Sequence, residues 1–210
     1  MKTIMATILV LILGFSSMSF AQFGQVSRQP QIEVFGGLAV PLSPKDFSDY
    51  YKVGLSLHGQ YVMFPTPKLG VSFALAFEGF SFDGDKFMQD IQASDPFTDY
   101  SGVTAEGSAN IIEFGVGVRP YLTSPEANMQ VFLYGMATYN ILKTKSDLSY
   151  NGTNFYSGED KENKFGIAVG PGIEIPLNDT MNLIGQGVFR YIFTSDEGTS
   201  FLGITTGMVF

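Results

Sequence analysis

The 210-residue chain carries 12 Lys and Arg against 20 Asp and Glu, a formal net charge of −8, with one histidine and no cysteine. No basic cluster is available to neutralise phosphates, which argues against nucleic acid as a partner, and the absence of thiols excludes a disulfide framework or a thiolate metal site. Stability has to come from hydrogen-bond closure and packing, and 24 Gly, 20 Phe and 10 Tyr are the materials for it.

The chain begins Met1-Lys2-Thr3, continues apolar from Ile4 to Phe20, and reads Ser19-Phe20-Ala21 before Gln22, the pattern of a secretory signal peptide with a small-x-small cleavage site. Residues 1–21 are therefore expected to be a cleaved leader and 22–210 the mature domain. Gly14, Ser16, Ser17 and Ser19 interrupt the apolar run, and no positive stop-transfer cluster follows, which disfavours a signal anchor. Nothing later approaches the ~20 consecutive apolar residues of a membrane helix.

Eight runs of period-two alternation follow, each ending in Pro, Asn, Asp or Gly. The first, Gln31 to Val40, sets Ile32, Val34, Leu38 and Val40 against Gln31, Glu33 and Ala39. The second sets Tyr51, Val53, Leu55, Leu57, Tyr61 and Met63 against Lys52, Gly54, Ser56, His58 and Gln60. In the third, Leu69, Val71, Phe73, Leu75 and Phe77 oppose Gly70, Ser72, Ala74, Ala76 and Glu78. The fourth opposes Ile112, Phe114, Val116 and Val118 to Glu113, Gly115, Gly117 and Arg119. The fifth, Met129 to Ile141, has two competing apolar faces, Phe132, Tyr134 and Met136 against Val131 and Leu133, so its phase stays open. The sixth, Lys164 to Ile175, is clear, with Phe165, Ile167, Val169, Ile173 and Ile175 opposite Gly166, Ala168, Gly170, Gly172 and Glu174. The seventh sets Met181, Leu183, Phe189, Tyr191 and Phe193 against Asn182, Gln186 and Arg190, and the eighth Leu202, Ile204, Met208 and Phe210 against Gly203, Thr205 and Gly207.

A soluble β-sandwich also alternates, but its second face meets water and carries many charges, whereas this one is mostly Gly, Ala and Ser with isolated ions. The connections alternate long and short, with Pro41–Tyr50, Phe82–Glu106, Lys143–Asn163 and Thr194–Thr199 on one side and shorter links on the other. Both features predict an all-β fold: an eight-stranded antiparallel transmembrane β-barrel with short periplasmic turns and longer external loops. A soluble periplasmic ligand-binding barrel is the alternative, and would point its apolar residues inward beneath a charged surface.

Three stretches, Gly36-Gly37-Leu38-Ala39-Val40-Pro41, Gly115-Val116-Gly117-Val118-Arg119-Pro120-Tyr121 and Gly170-Pro171-Gly172-Ile173-Glu174, together with the terminal Gly207-Met208-Val209-Phe210, give the mature chain its likeness to a family. It resembles the small outer-membrane β-barrels of the OmpA, OmpX and OprF transmembrane-domain kind, and especially their Bacteroidota porin-like, PorT-like members. The resemblance implies a bacterial outer-membrane location, contact with outer-membrane lipid and lipopolysaccharide, and passage through periplasmic chaperones to the barrel-assembly machinery, for which Phe210 would be the terminal aromatic signal. Larger members also have a periplasmic peptidoglycan-binding domain, which is not found before Phe210.

On the polar faces lie Glu33, Glu78, Glu113 and Glu174 with Lys52, Arg119, Lys164 and Arg190. Unpaired ions in a narrow lumen are expensive, so these eight are expected to form a lumenal salt-bridge network that plugs the barrel, with Arg119 and Glu174 pairing near the periplasmic end. A wet, ion-conducting channel is the competing possibility. His58 with Ser56 two residues earlier raises a lipid-modifying hydrolase, but both are phased with the lumen, away from lipid. Most of the acids fall in the long connections, among them Asp83, Asp85, Asp90, Asp95, Asp99, Glu159, Asp160 and Glu162. Their spacing does not match a calcium loop, and solvated charge is the expectation. Tyr61, Phe64, Phe80, Tyr121, Tyr139 and Tyr191 are expected in interfacial aromatic girdles. Phe97, Tyr100, Tyr150, Phe155 and Tyr156 in the external loops are available to a partner whose identity the sequence leaves open. No catalytic, cofactor or metal site is expected. The expected role is structural or surface-directed and non-enzymatic, with a narrow porin-like diffusion channel or small transporter as the alternative.

Overall fold

The computed structural model describes residues 28–178, 180–194 and 197–210, so the expected leader and its cleavage site lie outside them. Eight strands run up and down in chain order: β1 (Gln31–Ser43), β2 (Gly54–Thr66), β3 (Leu69–Ser81), β4 (Val103–Pro120), β5 (Gln130–Tyr150), β6 (Thr153–Pro176), β7 (Asn182–Ile192) and β8 (Thr199–Val209). Each pairs antiparallel with the next, and β8 returns to β1, with Val209 opposite Glu33 and Phe201 opposite Pro41, so the sheet is a closed barrel. Closure leaves no free edge in the wall. Ile32 and Phe210 exchange backbone hydrogen bonds of 3.1 and 2.9 Å, which brings the terminal residue into the seam while its side chain stays exposed.

The alternation along each strand decides what faces where. Outward go Ile32, Val34, Leu38, Leu55, Leu57, Phe73, Leu75, Val116, Val118, Ile167, Val169 and Ile204, all exposed. Left in water, each would forfeit about 1.5–3 kcal/mol, and the whole belt tens of kcal/mol, more than a domain's entire stability. The belt therefore belongs in hydrocarbon. Strands of ~9–11 tilted residues are enough to cross a bilayer, and every strand reaches that length.

β5 settles in the phase that puts Phe132, Tyr134 and Met136 inside and Leu133 outside. The reason is space, since the neighbouring inward faces are glycine: a Cβ on Gly115 would lie 2.3 Å from Met136 Sδ, and one on Gly172 would lie 2.2 Å from the Phe132 ring. The girdle expectation is corrected in part. Tyr61 and Tyr139 face outward, and Tyr191 stacks edge-on with Phe193 at 5.3 Å, but Phe64, Phe80 and Tyr121 are buried in the lumen. They stand on the inward parity of their strands or just beyond its end, where aromatic bulk fills the tube instead of anchoring it.

Two further departures lie on the external side. The connection after β1 holds a short helix, α1 (Lys45–Tyr50), and that after β3 a longer one, α2 (Gly84–Ser94), started by the Asp83 side chain accepting from Lys86 N–H at 3.3 Å. Much of the sequence expected as loop between residues 82 and 163 is strand. β3 leaves β4 at Ser81 opposite Ser108, and β7 leaves β6 at Ile192 opposite Gly166, yet β4, β5 and β6 keep pairing up to Val103, Tyr150 and Thr153. The β5–β6 hairpin turns at Asn151 and Gly152, both with positive φ (48° and 78°), as a type I′ turn requires. A three-stranded sheet thus stands on the barrel, its β4 edge beside α2 and its β6 edge free of strand partners from Thr153 to Lys164.

Candidate functional site

Four layers fill the tube. At the external mouth, α1 folds inward and seats Phe47 against Phe80 at 4.9 Å, edge to face, with Phe201, Ile192, Ala39 and Ile111 completing an apolar layer. A cavity of about 130 Å³ remains beside it, lined by Phe47, Tyr51, Ala109, Ile111, Leu142 and Thr199.

Below lies a charged layer around Arg190. Its Nε donates to Glu113 Oε1 at 3.3 Å and its Nη2 stands 3.6 Å from Glu78 Oε1, while the guanidinium lies 5.6 Å from the Phe201 ring centre. Gly203 makes the room, because a Cβ there would sit 2.5 Å from Arg190 Nη1. His58 joins through Nε2, which is 2.9 Å from Glu78 Oε1, 2.7 Å from Ser56 Oγ and 2.9 Å from Arg190 Nη2. A nucleophile relay requires the hydroxyl on one ring nitrogen and the carboxylate on the other. Here both address the same nitrogen, and Ser56 is fully buried, so the three are not arranged as a triad.

The next charged layer centres on Arg119, which clasps Glu33 in a two-pronged ion pair (Nη2–Oε2 2.7 Å, with Nη1 on Oε1), donates to Gln60 Oε1 at 2.7 Å and lies over the Phe132 ring at 4.4 Å. Gln60 in turn donates to the Tyr134 hydroxyl at 2.8 Å. Fork geometry of this kind is what allows an arginine to be buried. At the periplasmic end Glu174 accepts from Arg28 at 2.7 Å, from the Tyr121 hydroxyl at 2.9 Å and from Asn182 at 2.5 Å, and Arg28 is sandwiched between Phe64 and Tyr121 at 4.6 and 4.4 Å.

Of the eight charges singled out in the sequence, Glu33, Glu78, Glu113, Arg119, Glu174 and Arg190 are buried together in the lumen. Lys52 is not among them. It precedes β2, is mostly exposed, and faces Asp83 at 3.6 Å. Lys164 sits at the external rim on the inward parity, 3.4 Å from Glu162. Long amines at the rim reach water, whereas the planar guanidinium groups fill the interior. The expected Arg119–Glu174 pair is replaced by Arg119–Glu33 and Arg28–Glu174, with Tyr121 between the two. Arg28 precedes the first alternating run, so strand parity gave no signal for it.

Outside, the loop acids serve local structure. Asp90 accepts from the Tyr50 hydroxyl at 3.1 Å, and that bond holds the phenol above its ordinary pKa. Asp95 accepts from Thr98 Oγ1 at 2.7 Å and Asp99 from Ser101 N–H at 2.9 Å, and these bonds set both carboxyls below the usual range. Among the described residues no three potential metal-binding side chains converge. Tyr150, Phe155 and Tyr156 are exposed near the tip of the external sheet, and Phe97 on the loop after α2 is 97% exposed. Asn151-Gly152 was the available sequence signal for this hairpin.

No curated protein matches the sequence. Among solved structures the chain is similar to Ail, the attachment invasion locus protein of Yersinia pestis, in its complex with the heparin analogue sucrose octasulfate (14% identity, TM-score 0.54, covering 87% of this chain and 100% of that one). It is also similar to Neisserial surface protein A (10%, 0.54, 88% and 97%) and to a major outer membrane protein from Thermus thermophilus (14%, 0.54, 87% and 99%). At these identities the likeness is one of fold. Residues 7–209 match the family described as outer membrane protein beta-barrel domain, and the chain, a closed eight-stranded barrel with an apolar belt, belongs to that family of bacterial outer-membrane proteins.

Proposed function

We propose that this protein is a non-enzymatic surface protein of the outer membrane, acting through its external sheet while its lumen stays shut. The observation that carries the proposal is the contrast in filling. Two charged layers and two aromatic ones occupy the tube from Phe47 to Phe64, and eight strands leave room for little else. Strands β5 and β6, by contrast, spend ten or more residues each, on the order of 30 Å of strand, on structure the bilayer does not need. Along residues 153–164 the free edge offers backbone donors and acceptors beside Phe155 and Tyr156, the makings of strand addition by an extended segment of another protein. A leader cleaved after Ala21, delivery by periplasmic chaperones and insertion by the assembly machinery through Phe210 complete the proposal.

The test pairs two measurements on one preparation. In planar bilayers the purified barrel is expected to give no stable single-channel steps, and large steady ones would favour the diffusion channel instead. Replacing Ser146–Gly158 by a tight Asn-Gly turn is expected to leave heat-modifiable migration intact and to abolish binding of the protein to host or neighbouring cell surfaces. Unchanged binding would remove the external sheet from the function.

A further inference from the structure

We infer that Lys143 and Lys161, with Lys145 above them, form a seat on the outer wall for the phosphorylated headgroup of an outer-leaflet lipid. β5 and β6 face each other here in an unbroken ladder: Tyr139 opposite Phe165, Ile141 opposite Asn163, Lys143 opposite Lys161, and Lys145 opposite Glu159. All are on the outward parity, since Leu142 between them packs into the lumenal apolar layer and Asn140 is buried. The ladder crosses the membrane boundary. Tyr139 and Phe165 stack edge to face at 5.6 Å where an aromatic girdle belongs, and two rungs on, about 13 Å along tilted strands and so about 10 Å in height, the two ammonium groups stand at headgroup level.

Like charges directly opposite one another destabilise a sheet. In a chain with 20 acids the simplest remedy would be a carboxylate on the facing rung, as Glu159 faces Lys145 at 3.6 Å. Among the described residues no carboxylate lies within 4 Å of the Lys143 or Lys161 ammonium group, Asp160 being turned onto the Lys161 backbone N–H at 2.8 Å, whereas Lys52, Lys86, Lys145 and Lys164 each have one. Lys45 and Lys68 also have none, but they face no second lysine. Asn110, the β4 neighbour of Lys143, is uncharged and adds a donor to the same surface. Lysines also guard free strand edges against aggregation. That role fits Lys161 on the edge strand but not Lys143, which lies on the central strand of the three. An external anion suits both. The only multiply charged anion the barrel meets continuously at that height is the phosphate of the surrounding leaflet, and near a membrane surface each lysine contributes about tenfold or somewhat less to its capture.

The experiment reads lipid carried into the gas phase. The folded barrel in mixed micelles of lipid A and phosphatidylcholine is examined by native mass spectrometry, and one lipid A per chain is expected to survive where phosphatidylcholine is lost. K143Q/K161Q is expected to lower retention at least about tenfold, with K143Q and K161Q singly giving intermediate values should the double variant fail to show heat-modifiable migration. K45Q/K86Q, on the two external helices, is expected to change nothing. Excess inorganic phosphate is expected to leave the lipid in place, since the acyl chains hold it against the wall. Equal retention of the two lipids by the unaltered barrel, undiminished lipid A on K143Q/K161Q, an equal loss with K45Q/K86Q, or displacement by inorganic phosphate would each overturn the assignment.

Discussion

The same three strands, β4 to β6, obey different rules below and above the membrane boundary. Below it they alternate strictly, with Val169 outward and Ala168 inward, because one face meets hydrocarbon and the other a packed lumen. Above it both faces meet water, and stretches such as Glu159-Asp160-Lys161-Glu162 show no alternation at all although the pairing continues without a break. The comparison teaches that the hydrogen-bond ladder makes the strand, while the solvent on each side writes the sequence pattern. The membrane part is specified by burial, and the external part by its turn and by local polar contacts.

If so, the two parts should respond very differently to substitution. The largest effect is expected in the lower charged layer. R119M leaves Glu33 buried without its fork partner, and a loss of about 3–5 kcal/mol follows, read as a lower denaturant midpoint for the folded barrel in detergent. R119M/E33M should recover most of that loss, because removing both ions removes the desolvation penalty as well. A smaller effect belongs to the glycines that make room inside. G172A places a methyl 2.2 Å from the Phe132 ring and should cost about 1–3 kcal/mol by overpacking, whereas G152A at the tip strains only a turn outside the membrane and should leave the barrel's midpoint unchanged.

The smallest effect is one of pH. Asp95 and Asp99 have carboxyls held below their ordinary pKa by the Thr98 hydroxyl and the Ser101 N–H, so their contribution to loop order is complete above the ordinary carboxylate range and is lost only as pH falls through the lowered values. Hydrogen exchange across 95–101 should accelerate on that descent while exchange in β2 and β3 stays unaltered. Simultaneous loosening of loop and wall would break the distinction between the two parts.

What the sequence made legible follows the same division. All eight wall strands, the outward set of every strand but β5 and six of the eight charges could be read because an apolar exterior and a crowded interior impose period two. Lys52 went astray because it stands beyond the end of β2, where parity no longer fixes a direction. Arg28 carried no pattern. The inward turn of Phe64, Phe80 and Tyr121 was hidden because aromatic residues suit both a girdle and a plug, and only the facing glycines and arginines decide between them. α1 and α2 escaped notice for a related reason: short and polar, they are held by contacts such as Phe47 on Phe80 and Asp83 on Lys86 N–H that no periodicity announces.

The most direct test of the central claim, apolar side chains in lipid around a filled lumen, exploits the absence of cysteine. Single cysteines placed at Leu57, Leu75 and Val116, and at Ser72, Ala76 and Thr205, can be spin-labelled in the refolded barrel in bilayers and their collisions with oxygen and with a water-soluble nickel chelate compared. The account predicts high oxygen and low nickel contact for the first three and little contact with either for the second three. Ready nickel access to Ser72, Ala76 and Thr205, or to the apolar belt, would contradict it.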